Sequence, residues 1–513
     1  MNGRKRIPAR DTFGAASCAA APARDASRHG GARVAVLIVA AVVIVALVVV
    51  GLVWHGGTSR TTWPARHVIL ISLDTTRADH LGCYGNPWIK TPNLDALAGR
   101  SILLTDYMTV ASTTLASHTS LMTGKYPHTH GVPRNGFVID DRNVMLAEVL
   151  KAAGFTTAGF LGSFALDKRF NFAQGFDTFD ERFDIVVGER HADQSQRRAA
   201  RVTDAVLDYL DSAGVPGHLF LFVHYFDPHE PYDPPPPYDT MYGPRAIPMR
   251  DHPALAPGQG HPRGYLRNLR RYAGEISYTD AQIGRLLDGL RRRGILDEAL
   301  VIVTSDHGEV LRPDAAYPLD HGWTTYQADI HAVGIIHPPH GRRGVRVDLP
   351  VASIDMVPTI LHYLHLPIPP GVEGRALDLA RLDGIAPDRV RFAEATKPWN
   401  VEAGATWFND PKPRCVRVGT YKYIVSRYQH REELYDLARD PHERHNLFAD
   451  LRPEDRRRVA RMRELLQAWT ADAHPLPTHF DRKFLSDTIR RLKSLGYLGG
   501  EDSAQSQPGG GPP

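Results

Sequence analysis

Cysteine is scarce in this chain: three residues in 513, at Cys18, Cys83 and Cys415. No two share the spacing of a zinc site or a redox motif, so neither chemistry rests on thiols here. Cys83 and Cys415 are left as a pair in an oxidising compartment or as two buried thiols. Net charge is low as well. Residues 1–33 hold seven basic and two acidic side chains, a local +5, so the rest of the chain carries −1 of the formal +4. A near-neutral body argues against a nucleic-acid partner. Internal repeats are absent, and low complexity is confined to residues 501–513, whose Gly, Pro, Ser and Gln predict a disordered tail.

What is present begins with one long uncharged apolar run, Val34–Val53, closed by Trp54. About 20 residues at helical rise cross a bilayer core, so residues 34–54 are predicted to be a transmembrane helix. The basic residues before it place the tail 1–33 in the cytoplasm and everything after Trp54 outside, in the periplasm. Residues 55–64 read as a linker.

Beyond it, His67–Leu73, Phe155–Leu161, His218–Tyr225 and Ala299–Thr304 are short runs apolar on both faces, as in a buried parallel strand. Helical patterns alternate with them at Thr91–Arg100, Asn143–Ala153, Gln194–Ala213 and Tyr272–Arg293. The alternation predicts an α/β fold with a mixed, mostly parallel sheet flanked by helices. The Pro-rich stretch 234–262 reads as a long surface loop. After Gly371 the pattern changes: Tyr421–Ser426 and the stretch around Leu434 alternate as antiparallel strands, and Pro453–Ala473 is helical. A smaller C-terminal α+β subdomain is expected there.

Ligands of such sheets bind beyond the carboxyl ends of the strands. Three strands deliver polar side chains to that edge: Asp74, the pair Asp227 and His229, and the pair Asp306 and His307. Two or more carboxylates with imidazoles there suggest a metal site. A second feature is the hydroxyl-rich stretch 109–125. Thr114–Thr123 reads as a short helix, capped by Ser112, Thr113 or Thr114 and stopped by Gly124. A hydroxyl at a helix N-terminus lies where an anion binds and where an attacking alkoxide is stabilised.

In order and spacing these segments resemble the sulfatase family of the alkaline-phosphatase-like superfamily, over roughly residues 65–500. Leu73-Asp74-Thr75-Thr76-Arg77-Ala78-Asp79-His80 is similar to the family's first metal segment, and Thr304-Ser305-Asp306-His307-Gly308-Glu309 to its second. Leu121-Met122-Thr123-Gly124-Lys125-Tyr126-Pro127 resembles the end of its nucleophile segment, and Glu433-Leu434-Tyr435-Asp436-Leu437 its C-terminal signature. The resemblance implies a catalytic domain over 65–375, with 376–500 as a C-terminal subdomain of the same fold.

The departures carry the expected chemistry. The family's Cys or Ser, oxidised to formylglycine, falls here on Thr114, and its arginine on His118. Threonine cannot become that aldehyde, so no formylglycine is expected. The chain is thus closer to the Thr-nucleophile branches, which include phosphodiesterases and envelope phosphotransferases. The implied metal ligands are Asp74, Thr114, Asp306 and His307, around one divalent ion. An imidazole in the set favours Zn²⁺ or Mn²⁺, with Ca²⁺ as the remaining option. A second ion on Asp227, His229 and His321 is the alternative. The implied catalytic set is Thr114 as nucleophile, His118, His229 and His321 to hold the anion and move protons, and Lys125 to orient the site. The expected activity is metal-dependent hydrolysis of sulfate or phosphate esters of small molecules, glycans or lipids. Two alternatives stand beside it: an envelope phosphotransferase of the phosphoethanolamine or glycerophosphate type, and a non-catalytic binding module.

Overall fold

The computed structural model describes residues 64–183, 195–243, 264–311, 320–397, 412–427, 429–481, 483, 485–495 and 497. The apolar run 34–53, its basic tail, the linker 55–63 and the tail 501–513 lie outside the described residues. Among the described residues no helix is long and apolar enough to cross a membrane.

The strands, in chain order, are β1 (His67–Leu73), β2 (Ile102–Leu104), β3 (Tyr107–Met108), β4 (Thr156–Phe160), β5 (Thr178–Asp180), β6 (Leu219–Tyr225), β7 (Ala299–Ser305), β8 (Gly334–His337), β9 (Val345–Val347), β10 (Val351–Ala352), β11 (Val390–Glu394), β12 (Arg414–Val418), β13 (Tyr421–Ser426) and β14 (Arg431–Asp436). Eight form one sheet in the order β5-β4-β6-β1-β7-β8-β2-β9. β1 lies at its centre, parallel to both β6 and β7. β8 runs antiparallel to β7 and to β2, so the sheet is mixed but mostly parallel, as expected.

Alternate residues of β1 enter different cores, Ile69, Ile71 and Leu73 on one face and Val68 and Leu70 on the other. That two-sided burial is why its sequence is apolar throughout instead of alternating. One core is closed by the helices Ala199–Ala213 and Tyr265–Arg292. The latter begins seven residues before the predicted start, because Tyr265 and Leu269 extend its buried face past the Arg-rich turn that hid it. The former begins at Ala199 instead of Gln194. Of the predicted loop 234–262, residues 244–262 lie outside the described residues, and Tyr238–Met241 forms one helical turn.

The four-stranded antiparallel sheet β11-β12-β13-β14 confirms the change of pattern after Gly371. The helix Pro453–Ala471 packs on it through Val459, Met462 and Leu466. Cys415 is buried in β12 and Cys83 is half-buried; both are free thiols.

Register positions the site. Leu73 of β1 is level with Tyr225 of β6 and Ser305 of β7. The residues that follow, Asp74, Phe226 and Asp306, therefore leave the sheet together. Adjacent strands are about 4.8 Å apart, so Asp74 and Asp306 emerge as near neighbours.

Candidate active site and metal centre

At the end of β1 the backbone takes an unusual path. Thr75 has a φ of 47°, a left-handed conformation rare for a β-branched residue. The phenol of Tyr272 donates to its carbonyl at 2.7 Å and accepts from Arg77 N at 3.1 Å, which fixes the turn. The strained turn aims the Thr75 amide at Asp306 Oδ1, 3.2 Å away. His307 N donates to the same oxygen at 2.7 Å. Asp306 Oδ2 is left with no hydrogen-bond partner, as are Asp74 Oδ1 and His307 Nε2.

These three residues are fully buried, and each offers a ligand atom within 4.8 Å of the others. His307 Nδ1 lies 2.9 Å from the Gly308 carbonyl, so it carries the proton and Nε2 presents a bare lone pair. Burial holds the His307 imidazole neutral, well below its usual pKa, and raises the Asp74 and Asp306 carboxyls well above theirs. Two uncompensated carboxylates beside a bare imidazole nitrogen fit a divalent cation, which would remove the cost of burying them together. Asp74, Asp306 and His307 are the expected protein ligands, brought together as predicted.

Thr114 opens the helix Thr114–Thr123, all ten residues of which are buried. Its Oγ1 lies 3.3 Å from Asp74 Oδ2 and within reach of the same centre. Thr113 is the N-cap residue, but its side chain makes no capping bond. Instead Asn135 Oδ1 accepts from Leu115 N at 2.7 Å, so the cap comes from 20 residues downstream. Gly124, at φ 68°, stops the helix as expected. Ser117 Oγ donates to the Asp306 carbonyl at 2.6 Å and ties the helix to the end of β7.

His118 corrects an expectation. One turn after Thr114 it is wholly buried, with Nδ1 donating to the Thr114 carbonyl at 2.7 Å and Nε2 accepting from Ser72 Oγ at 2.8 Å. Both nitrogens are used, so it supports the helix instead of holding an anion. Lys125 is displaced by geometry: the helix between it and Thr114 is about 15 Å long, and its Nζ meets Asn143 Oδ1 at 3.3 Å. It does not orient the site. Asp227 is a structural cap, with Oδ2 accepting from Ala199 N at 2.7 Å at the start of a helix. Among the described residues Asp227, His229 and His321 do not form a group with the closeness an ion requires.

His229 and His321 do meet, with ring centroids 5.1 Å apart. His321 also stacks on His307 at 4.5 Å. His229 Nδ1 lies 2.6 Å from the Glu230 carbonyl, leaving Nε2 bare and without a partner. His321 has neither nitrogen paired, and its Nδ1 faces Glu309 Oε1 at 3.5 Å. Burial, reinforced by Asp320, raises the Glu309 carboxyl to about 8. Burial also lowers His321 to about 3, so this imidazole is neutral before any anion arrives.

Three partners escaped the sequence reading. His224 of β6 places Nε2 3.2 Å from Asp74 Oδ2. Tyr497 places its hydroxyl 2.8 Å from Thr114 Oγ1. Asn135 is the third. His224 sits inside an apolar strand, where a lone polar residue was the only available signal; nothing local marks the other two.

Residues 66–366 match the Sulfatase family model. The ulvan-active sulfatase of Formosa agariphila is 28% identical over 405 residues, covering 74% of this chain and 77% of that protein. The multifunctional alkaline phosphatase superfamily protein PehA of Trinickia caryophylli is 26% identical, covering 75% of this chain and 91% of its own length. Among solved structures, the phosphonate monoester hydrolase of Silicibacter pomeroyi superposes with a TM-score of 0.63 at 22% identity, covering 82% of this chain and 99% of that one. At that identity the likeness concerns the fold.

Proposed function

This chain belongs to the sulfatase family of ester hydrolases, and from that premise we propose that it is a metal-dependent hydrolase of phosphate-type esters with Thr114 as its nucleophile. The observation that carries this reading is the Thr114 hydroxyl, 3.3 Å from Asp74 Oδ2 beside three buried, unpaired ligand atoms. Asp74, Asp306 and His307 would hold the ion, Zn²⁺ or Mn²⁺ being favoured by the imidazole. When bound, a divalent cation favours ionisation of a nearby alcohol and polarises a phosphoryl oxygen.

The side chains supply the rest. The Thr114 hydroxyl proton leaves toward Asp74 Oδ2 as Oγ1 bonds to phosphorus and the bond to the leaving alcohol breaks. His321 gives the leaving oxygen a proton from Nε2 and takes one at Nδ1 from Glu309, which burial keeps protonated near neutral pH. In the second half His229 Nε2, a bare lone pair, takes a proton from water as it attacks phosphorus. Thr114 leaves with the proton held by Asp74, and the proton on His229 returns to Glu309.

Phosphate is favoured over sulfate because a threonine adduct has no second oxygen on its carbon. It must be released by attack at the central atom, unlike the sulfate on an aldehyde hydrate. The test is Thr114→Ala assayed on 4-nitrophenyl phosphate, phosphonate and sulfate esters. A loss of about 10³-fold or more is expected, with metal content retained; Thr114→Ser should keep more activity. Mass spectrometry should find the trapped phosphoryl group on the peptide containing Thr114. Unchanged turnover, or an adduct elsewhere, would end this mechanism. An acceptor alcohol that captures the phosphoryl group faster than water would instead favour the phosphotransferase.

The uncharged run 34–53 supports a single-pass anchor with the catalytic body outside the cytoplasm. Protease added to intact spheroplasts should digest the body and spare the N-terminal tail; a protected body would reverse the orientation.

A further inference from the structure

The nucleophile has a partner that comes from the far end of the chain. The helix Leu485–Ser494 is pinned by Thr488 Oγ1 to Asp481 Oδ2 at 2.8 Å and by Arg169 to Asp487 at 3.0 Å. The Arg491 guanidinium covers the Phe164 ring at 4.0 Å. Leu492 and Leu495 join the hydrophobic core that contains Leu115 and Met122 of the nucleophile helix. Tyr497 N donates back to the Leu492 carbonyl at 2.9 Å. The outcome is a phenol 2% exposed, 383 residues beyond Thr114 in the chain, with its hydroxyl 2.8 Å from Thr114 Oγ1. Its ring meets His229 edge-on at 5.1 Å and His321 at 5.9 Å.

We infer that Tyr497 is a catalytic residue of this site, a hydrogen-bond donor that aims the Thr114 oxygen at rest and stabilises the phosphoryl oxygens during transfer. The inference rests on Thr114 being the nucleophile. The Thr114 hydroxyl has one proton, and Asp74 Oδ2 accepts it. The phenol is then the donor in the 2.8 Å contact. A phosphorus atom must approach Oγ1 to about 3–3.5 Å for attack. The Tyr497 ring meets both His229 and His321, so the phenol stands beside these imidazoles and an arriving phosphoryl group comes in alongside it. The arriving phosphoryl oxygens then take over the phenol's hydrogen bond. A fixed donor aimed where negative charge develops is worth about 10²–10³ in rate.

Tyr497→Phe removes this donor and keeps the ring in the same core and beside the two imidazoles. With 4-nitrophenyl phenylphosphonate as probe and the metal-loaded full chain, kcat is expected to fall about 100-fold while KM stays within about threefold. Thermal melting should move by no more than a few degrees, because the packing is retained. Quenched samples analysed by mass spectrometry should show the Thr114 adduct forming more slowly by the same factor. A kcat within twofold of the parent would overturn the inference, as would a loss confined to KM or explained by a collapsed melting transition. Thr114→Ala run in parallel separates the two claims. If it loses activity while Tyr497→Phe does not, Tyr497 is structural and the nucleophile stands; if it loses nothing, the nucleophile assignment itself fails.

Discussion

His224 Nε2 lies 3.2 Å from Asp74 Oδ2, the first inside β6 and the second just past the end of β1. The register that pairs His224 with Ser72 places the imidazole one step below the carboxylate on the same face. Nε2 donates to Oδ2, which leaves Asp74 Oδ1 open toward Asp306 and His307. The ring is 4.9 Å from His118, itself tied to Ser72 and to the Thr114 carbonyl. Two neutral imidazoles thus brace the carboxylate and Thr114 from behind.

Replacing that brace should act on the metal before it acts on the fold. His224→Ala is expected to weaken metal affinity about 10–100-fold, the usual cost of losing a partner behind a ligand. His224→Gln, which can still donate, should lose less. Titration of the metal-free protein with Zn²⁺, followed by calorimetry, checks it; unchanged affinity in both variants would show that Asp74 is held by other means.

Metal number follows from the cap on Asp227. Its Oδ2 is taken by the Ala199 amide, and among the described residues one cluster of acidic and imidazole ligands has the closeness an ion requires. One tightly held equivalent per chain is expected by elemental analysis, and Asp306→Ala should abolish it together with activity. Two equivalents that both survive dialysis would contradict the structural role of Asp227.

The buried carboxyls set a pH dependence of stability for the metal-free chain. Glu309 is raised to about 8 by burial and by Asp320, and Glu230 to about 7 by burial and by Glu309. An unfolded glutamate titrates near 4.3. Between these values the folded state binds more protons than the unfolded one, so stability falls as pH rises. The loss should be on the order of 1 kcal/mol per pH unit per group, begin near pH 4 and level off near pH 8. Urea unfolding of the metal-free chain from pH 7 to 8, above the range in which the buried imidazoles titrate in the unfolded chain, should show this slope, and Glu309→Gln should flatten it. A slope unchanged in Glu309→Gln would assign the effect to other groups.

The local signals in the sequence were sufficient for the frame of the site. A strand buried on both faces must be apolar throughout, so β1, β6 and β7 announced themselves, and the first charged residue after each run marked the sheet edge. Asp74, Asp306, His307 and Gly124 were legible for that reason: each is a boundary between one local periodicity and the next. The antiparallel entry of β8 was not, because a four-residue strand carries no signal of its direction. Nor were the residues that complete the site. Lys125 and His118 lie on the right segment, and only the length of the helix and the filled hydrogen bonds of the imidazole remove them from the chemistry. His224 looks like a strand residue until register sets it beside Asp74. Tyr497 has no local mark at all: it reaches Thr114 only because Leu492 and Leu495 are buried with Leu115, a contact made in the folded core across nearly the whole catalytic body. The sequence by itself determined which strands end in candidate ligands, since periodicity and turn chemistry act over a few residues. Tertiary structure alone decided what surrounds those ligands, since burial and hydrogen-bond satisfaction are settled between segments hundreds of residues apart.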